Sequence, residues 1–219
     1  MAFNAKVYQE ILAALPAGVA IVAVSKTKPI QDLQDAYAEG VRDFGENYVQ
    51  ELMEKQPVLP ADIRWHFIGH LQSNKVKYIA PYVHLIHGVD KVSLLDEIQK
   101  QAAKIGKKIA VLIQLHVAQE ETKFGFSSDE AIELFSAAMP EKYPNIVFSG
   151  IMAMASFLDD TEVLKSEFSE AKRVFDHLSS NMGKEWNTLS MGMSSDWQLA
   201  VQEGSTLLRI GSTLFGSRN

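Results

Sequence analysis

Unbroken apolar runs alternate along this chain with stretches in which apolar positions recur every three or four residues. Residues 19–24 form a β-branched-rich run, the pattern of a strand buried on both faces of a parallel sheet. Helical spacing flanks it, over residues 2–15, closed by Pro16 and Gly18, and over 30–39, stopped by Gly40. Further strand-like runs fall at 41–45, 65–68, 83–86, 109–117, 146–152, 188–190 and 206–210. Between them the pattern predicts helices over 47–55, 72–79, 92–104, 129–138 and 195–201. A stripe of Leu164, Phe168, Ala171, Phe175 and Leu178 marks another. Asp159, Asp160 and Glu162 precede that stripe and read as a cap and dipole partners.

Eight strands alternating with helices, without hairpin signals or a linker, predict an α/β fold. The expected architecture is a (β/α)8 TIM barrel spanning residues 1–219 as a single domain. A doubly wound open sheet has the same local pattern and is the alternative. In both, chemistry gathers where strands end and helices begin. That rule singles out Lys26, Asn47, His70, the turn from Ser190 to Ser194, and Gly211 with Ser212.

Composition narrows the function classes. A chain of 219 residues, 47% hydrophobic, can bury a full core, and its formal charge of −6 speaks against a nucleic-acid partner. The chain has no cysteine, so disulfides, thiolate metal sites and cysteine nucleophiles are excluded. The N-terminal stretch lacks the basic and apolar regions of a signal peptide, and no apolar run approaches a membrane span. A cytoplasmic, soluble protein with no membrane partner is the expectation.

The candidate chemistry starts with Lys26, which closes the first strand run. Low-dielectric walls favour the neutral form of an amine, which can condense with an aldehyde. By itself, a lysine at a loop edge is more often merely solvated. Arg209 follows an apolar strand; a guanidinium only donates hydrogen bonds, so facing a pyridine nitrogen it would keep that nitrogen unprotonated. An ordinary salt bridge is the simpler account of Arg209 alone. Ser190, Gly192, Ser194, Gly211 and Ser212 lie in two small turns after successive strands, able to offer hydroxyls and N–H groups to a phosphate. His66 and His70 are four apart, but Gly69 and the strand-like 65–68 argue against one helix presenting both to a metal. Met152, Met154, Met191 and Met193 read as core filling or as an adaptable apolar wall. A Schiff-base aldolase would also need a lysine and a phosphate cup, but those enzymes generally place the lysine on a later strand.

The segments AVSKTKP, FGENYVQEL, WHFIGHLQSNK, KFGF, SGIMAMASF and LSMGMSSDWQLAVQEGSTLLRIGSTLFGSR together resemble the pyridoxal-phosphate homeostasis family, over about Val19 to Arg218. The resemblance implies the fold type III barrel of alanine racemase without its C-terminal β-domain, binding pyridoxal 5′-phosphate. It implies a Schiff base on Lys26, Asn47 beside the ring, and Arg209 facing the pyridine nitrogen. Ser190, Gly192, Met193, Ser194, Gly211 and Ser212 would hold the phosphate, with His70 near the site mouth. The chain departs from the family in having His116 where Asn is usual and Ser212 where Thr is usual.

Two functional classes follow. One is a carrier that holds pyridoxal phosphate and supplies it to apoenzymes, acting in vitamin B6 homeostasis and not as an enzyme. The other is a pyridoxal-phosphate-dependent amino-acid racemase. Racemisation needs a base on each face of the substrate carbon, and alanine racemases draw the second from a β-rich domain of the partner subunit. The sequence runs out shortly after the last predicted strand, so the carrier, as a monomer, is the expectation.

Overall fold

Strand β8 (Leu207–Ile210) pairs with β1 (Ala20–Val24), in a register running from Ala20 opposite Leu207 to Ala23 opposite Ile210. This pairing closes a parallel sheet whose strands follow chain order. It decides for the barrel, since an open sheet leaves two edges unpaired. The remaining strands are β2 (Asp43–Glu46), β3 (Arg64–Phe67), β4 (Val83–Val89), β5 (Ile109–Leu115), β6 (Ile146–Ala153) and β7 (Thr188–Ser190). The coordinates are a computed structural model that describes residues 3–118, 124–135, 139–156 and 158–216.

The helices among the described residues are α1 (Ala5–Ala14), α2 (Ile30–Ala38), α3 (Val49–Lys55), α4 (Val76–Ile79), α5 (Val92–Lys104), α6 (Ser128–Leu134), α7 (Met139–Lys142), α8 (Thr161–Met182), α9 (Trp197–Gln202) and α10 (Ser212–Phe215). None is long and apolar enough to cross a membrane. Local chemistry sets their starts. Asn4 accepts from the Val7 N–H, Asp160 accepts from those of Glu162 and Val163, and Ser127 with Glu130 forms a capping box on α6.

Side chains alternate across each strand, and this sorts residues between two cores. In β8, Leu208 and Ile210 join the large core between barrel and helices, while Leu207 joins a small apolar plug with Val22, Leu85, Leu112 and Met152. By the same alternation Arg209 points inward, as does Ser190 next to Leu189 in β7. Glycines permit the tightest approaches. Gly150, at φ 146°, has no room for a Cβ, which would overlap the carbonyl of Thr188 on the next strand.

Several boundaries differ from the sequence pattern. Strand β5 stops at Leu115, where His116 donates its N–H to Phe126 O. Strand β4 runs on to Val89, because His87 faces the buried interior despite its polarity. The helix expected over 47–55 starts at Val49, and the one expected over 72–79 opens as a tight 3-10 turn, Ser73–Lys75. Two short helices, α7 and α10, had no periodic signal, being only four residues each. Ala2, Lys123, Ala138 and Arg218 lie outside the described residues.

Candidate functional site

The β1 strand ends in a turn that carries Lys26. Its backbone is unusual at Thr27, a non-glycine residue at φ 63°, a conformation L-residues adopt only when their surroundings impose it. Here the surroundings are ionic. The Thr27 N–H donates to Glu51 Oε2 at 2.7 Å, and Lys55 Nζ donates to Glu51, to Glu46 Oε1 and to Ser25 O at 2.8, 2.8 and 2.9 Å. Ser25 Oγ donates to the same Glu46 oxygen at 2.6 Å. Burial pushes the Glu46 carboxyl up to about 7, although the Lys55 cation pulls the other way. Two residues beyond Lys26, Lys28 Nζ donates to Phe215 O and Gly216 O, tying the turn to the end of α10.

Lys26 opens on a cleft of about 520 Å³ at the C-terminal ends of the strands. Among the residues singled out from sequence, Lys26, Asn47, Met193, Ser194, Arg209, Gly211 and Ser212 line it together. These residues come from the ends of β1, β2, β7 and β8, which only closure of the barrel makes neighbours. Met154 joins Met193 on the wall, whereas Met152 and Met191 fill the two cores.

Arg209 lies almost fully buried at one side of the cleft. Its Nη1 donates to Ser190 O and Oγ at 2.8 and 2.7 Å, and its Nη2 to Ala153 O at 2.9 Å. Burial lowers its pKa to about 10, partly countered by Asp196, so it stays a cation at neutral pH. Opposite, Ser194 Oγ accepts from the Gly211 and Thr213 N–H groups at 3.3 and 3.4 Å. Two backbone donors thus already converge on one oxygen at the cleft wall, over long bonds that a better acceptor would shorten. Asn47 Oδ1 is buried and, among the described residues, has no hydrogen-bond partner.

Three residues expected at the site do not line this cleft. Ser190 lies beneath it, fully buried, with its hydroxyl engaged by Arg209 and His87. Gly192, at φ 93°, accepts the Arg209 N–H on its carbonyl; a Cβ there would stand 2.5 Å from Ala200 Cβ, so only glycine allows this close approach to α9. His70 lines a neighbouring groove with Tyr48, Met53 and Tyr78, shares Asn47 with the Lys26 cleft, and stacks on Phe124 at 4.0 Å. His116 does not line the cleft. Among the described residues no three His, Asp or Glu side chains converge as a metal site.

A barrel with a strand-end lysine, a buried arginine and a serine–glycine turn on one cleft can be compared with known proteins. The family model described as alanine racemase, N-terminal domain, matches residues 1–219. A protein of Aquifex aeolicus named pyridoxal phosphate homeostasis protein is 40% identical over 199 residues, covering 90% of this chain and 86% of that one. The chain belongs to the pyridoxal phosphate homeostasis protein family. In three dimensions, PipY of Synechococcus elongatus PCC7942, solved with pyridoxal phosphate bound, superposes with a TM-score of 0.85 at 32% identity, covering 97% of this chain and 99% of PipY. The alanine racemase of E. faecalis shares the barrel at a TM-score of 0.77 and 16% identity, with 56% of its chain covered; that likeness concerns fold alone.

The sequence pattern missed Glu46, Glu51 and Lys55. Glu46 and Lys55 sit in helical or strand spacing that reads as an ordinary exposed face, and nothing local signals that barrel closure buries them.

Proposed function

We propose that this protein binds pyridoxal 5′-phosphate in the Lys26 cleft and acts as a carrier in the homeostasis of that cofactor. The observation that carries the reading is the meeting, on one cleft, of the Lys26 amine, the donor-only Arg209 and the Ser194–Gly211–Ser212 donor set. The names of the relatives and the ligand in PipY support it. When bound, pyridoxal phosphate supplies an aldehyde that condenses reversibly with an amine.

The protein's own groups divide the task. The N–H groups of Gly211 and Thr213, with the Ser194 and Ser212 hydroxyls, suit a phosphate dianion. Asn47 brings an unpaired acceptor to the ring edge. Arg209 can donate to a ring nitrogen but cannot protonate it usefully, because a guanidinium gives up its proton only far above neutral pH. An unprotonated ring is a weaker electron sink, which disfavours turnover and favours storage over racemisation. This reading takes the working unit as a monomer in the cytoplasm. Apoenzymes that consume the cofactor are the partners it implies.

The test is loading with pyridoxal phosphate, borohydride reduction and peptide mass mapping, with Lys26→Ala as control. A visible band that reduction traps on Lys26, and that Lys26→Ala loses, is the expected result. A protein that cannot be loaded overturns the cofactor reading. Racemase activity that depends on Lys26 overturns the carrier reading and leaves the cofactor in place.

A further inference from the structure

Below the cleft, the barrel interior carries an unbroken hydrogen-bonded chain of five side chains from five strands. Arg209 Nη1 on β8 reaches Ser190 Oγ on β7 at 2.7 Å, and Ser190 Oγ reaches His87 Nδ1 on β4 at 3.2 Å. His87 Nε2 then lies 2.9 Å from His66 Nδ1 on β3, and His66 Nε2 lies 3.0 Å from Asp43 Oδ1 on β2. Ser190 and His87 are fully buried, His66 and Arg209 nearly so. Asp43 sits at the opposite, N-terminal mouth of the barrel, where Arg64 also binds it and His84 lies nearby.

Donor and acceptor chemistry lets this chain run in a single direction. A guanidinium only donates, so Ser190 Oγ accepts from Arg209, and in the proposed arrangement the Ser190 proton goes to His87 Nδ1. His87 therefore carries its proton on Nε2 and donates it to His66 Nδ1. His66 in turn carries its proton on Nε2 and donates to the Asp43 carboxylate, which only accepts. Every nitrogen and oxygen between the cation and the anion is satisfied by this tautomer assignment. Burial above all, with the Arg209 cation adding to it, holds the His87 pKa well below its ordinary value, which agrees with a neutral ring. His66 and Arg64 outweigh the burial of Asp43 and bring its carboxyl down to about 2, which keeps the acceptor end ionised.

We propose that His87, backed by His66 and Asp43, is a positioning residue for Arg209: the chain holds Ser190 Oγ in place, and this oxygen, together with the Ser190 and Ala153 carbonyls, sets the plane of the guanidinium on the cleft. Aligned bonds of this kind also polarise one another in a low-dielectric interior, so the Asp43 charge at one mouth of the barrel stabilises the Arg209 charge at the other. Such a chain matters to a bound ligand only through Arg209, and to that extent it rests on the reading that Arg209 meets the ring nitrogen.

The experiment has two parts. In the ligand-free protein labelled with 15N histidine, at about pH 8, where an ordinary imidazole is neutral, long-range proton–nitrogen spectra read the tautomers directly. The expected result is a single Nε2–H tautomer for both His66 and His87. An Nδ1–H tautomer, or an imidazolium, at either ring overturns the proposal. The second part loads pyridoxal phosphate into His87→Leu and His87→Asn and compares the visible band. Leu removes the acceptor for Ser190, and the band is expected to shift while borohydride still traps the ligand on Lys26. Asn keeps an acceptor near the Nδ1 position, and the band is expected to stay at the wild-type wavelength. An unshifted band in His87→Leu overturns the proposal. If His87→Leu does not fold, the wild-type tautomers and the His87→Asn band decide. If no variant and no wild-type protein loads, the cofactor reading fails by itself, and the tautomers still judge the chain.

Discussion

Lys55 Nζ stands 2.8 Å from Glu46 Oε1 with both groups buried, directly behind the turn that presents Lys26. An ion pair removed from water offsets its desolvation only while both partners remain. Replacing Lys55 by Met leaves Glu46 buried beside Glu51 with no cation. The expected loss is about 3–5 kcal/mol in a denaturant titration. Adding Glu46→Leu to Lys55→Met should recover a large part of it; a double variant as unstable as the sum of the single changes would refute the coupling.

Thr27 offers the converse. Its φ of 63° costs an L-residue about 1–2 kcal/mol, which glycine does not pay. Because glycine also frees the unfolded chain, by roughly 0.5–1 kcal/mol, Thr27→Gly should leave stability within about 1 kcal/mol of wild type. Thr27→Val, which keeps the β-branch and only replaces the hydroxyl by a methyl group, relieves none of the strain at this φ and should not be more stable than wild type. Thermal unfolding of the two variants reads both outcomes.

Gly192 combines a left-handed backbone, φ 93°, with an absence of room: a Cβ would lie 2.5 Å from Ala200 Cβ and 3.0 Å from Leu208 Cδ2. Gly192→Ala should cost about 1–3 kcal/mol from overpacking, with backbone strain added. Since the Gly192 carbonyl accepts the Arg209 N–H, the same variant should weaken pyridoxal phosphate loading. Wild-type loading in a destabilised Gly192→Ala would show that this contact does not govern the cleft.

Asp43 sets a pH dependence whose sign follows from its carboxyl, ordinarily near 3.8 and here lowered to about 2. Between those values the unfolded state binds more protons than the folded one, so stability falls as the medium is acidified. The contribution is complete above about pH 4 and disappears as the pH drops toward about 2. Asp43→Asn should flatten the stability curve across that window relative to wild type, measured by denaturation at a series of acid pH values. An unchanged slope would mean that Asp43 does not titrate as its contacts with His66 and Arg64 require.

The barrel was legible in the chain because burial on both faces of a parallel strand leaves a local trace. Runs such as 19–24 and 109–113 are apolar throughout, and the helices between them carry a stripe of one face. That Lys26, Asn47, Ser194, Gly211 and Ser212 would meet at one cleft was legible for a related reason, since strand ends in a parallel sheet converge on one face. The sequence also determined what the chemistry could not be, because a chain without cysteine has no thiolate to offer.

Closure of the sheet decided the rest. Pairing of β8 with β1 sets Arg209 within the interior opposite strands from the first half of the chain. Ser190 Oγ meets Arg209 because its side chain follows the inward face of a three-residue strand. His66 and His87 had no local sign of partnership, being 21 positions apart, yet their rings meet at 2.9 Å. Which polar groups share a buried volume depends on strand register and barrel curvature, and these are long-range properties that no window of sequence contains.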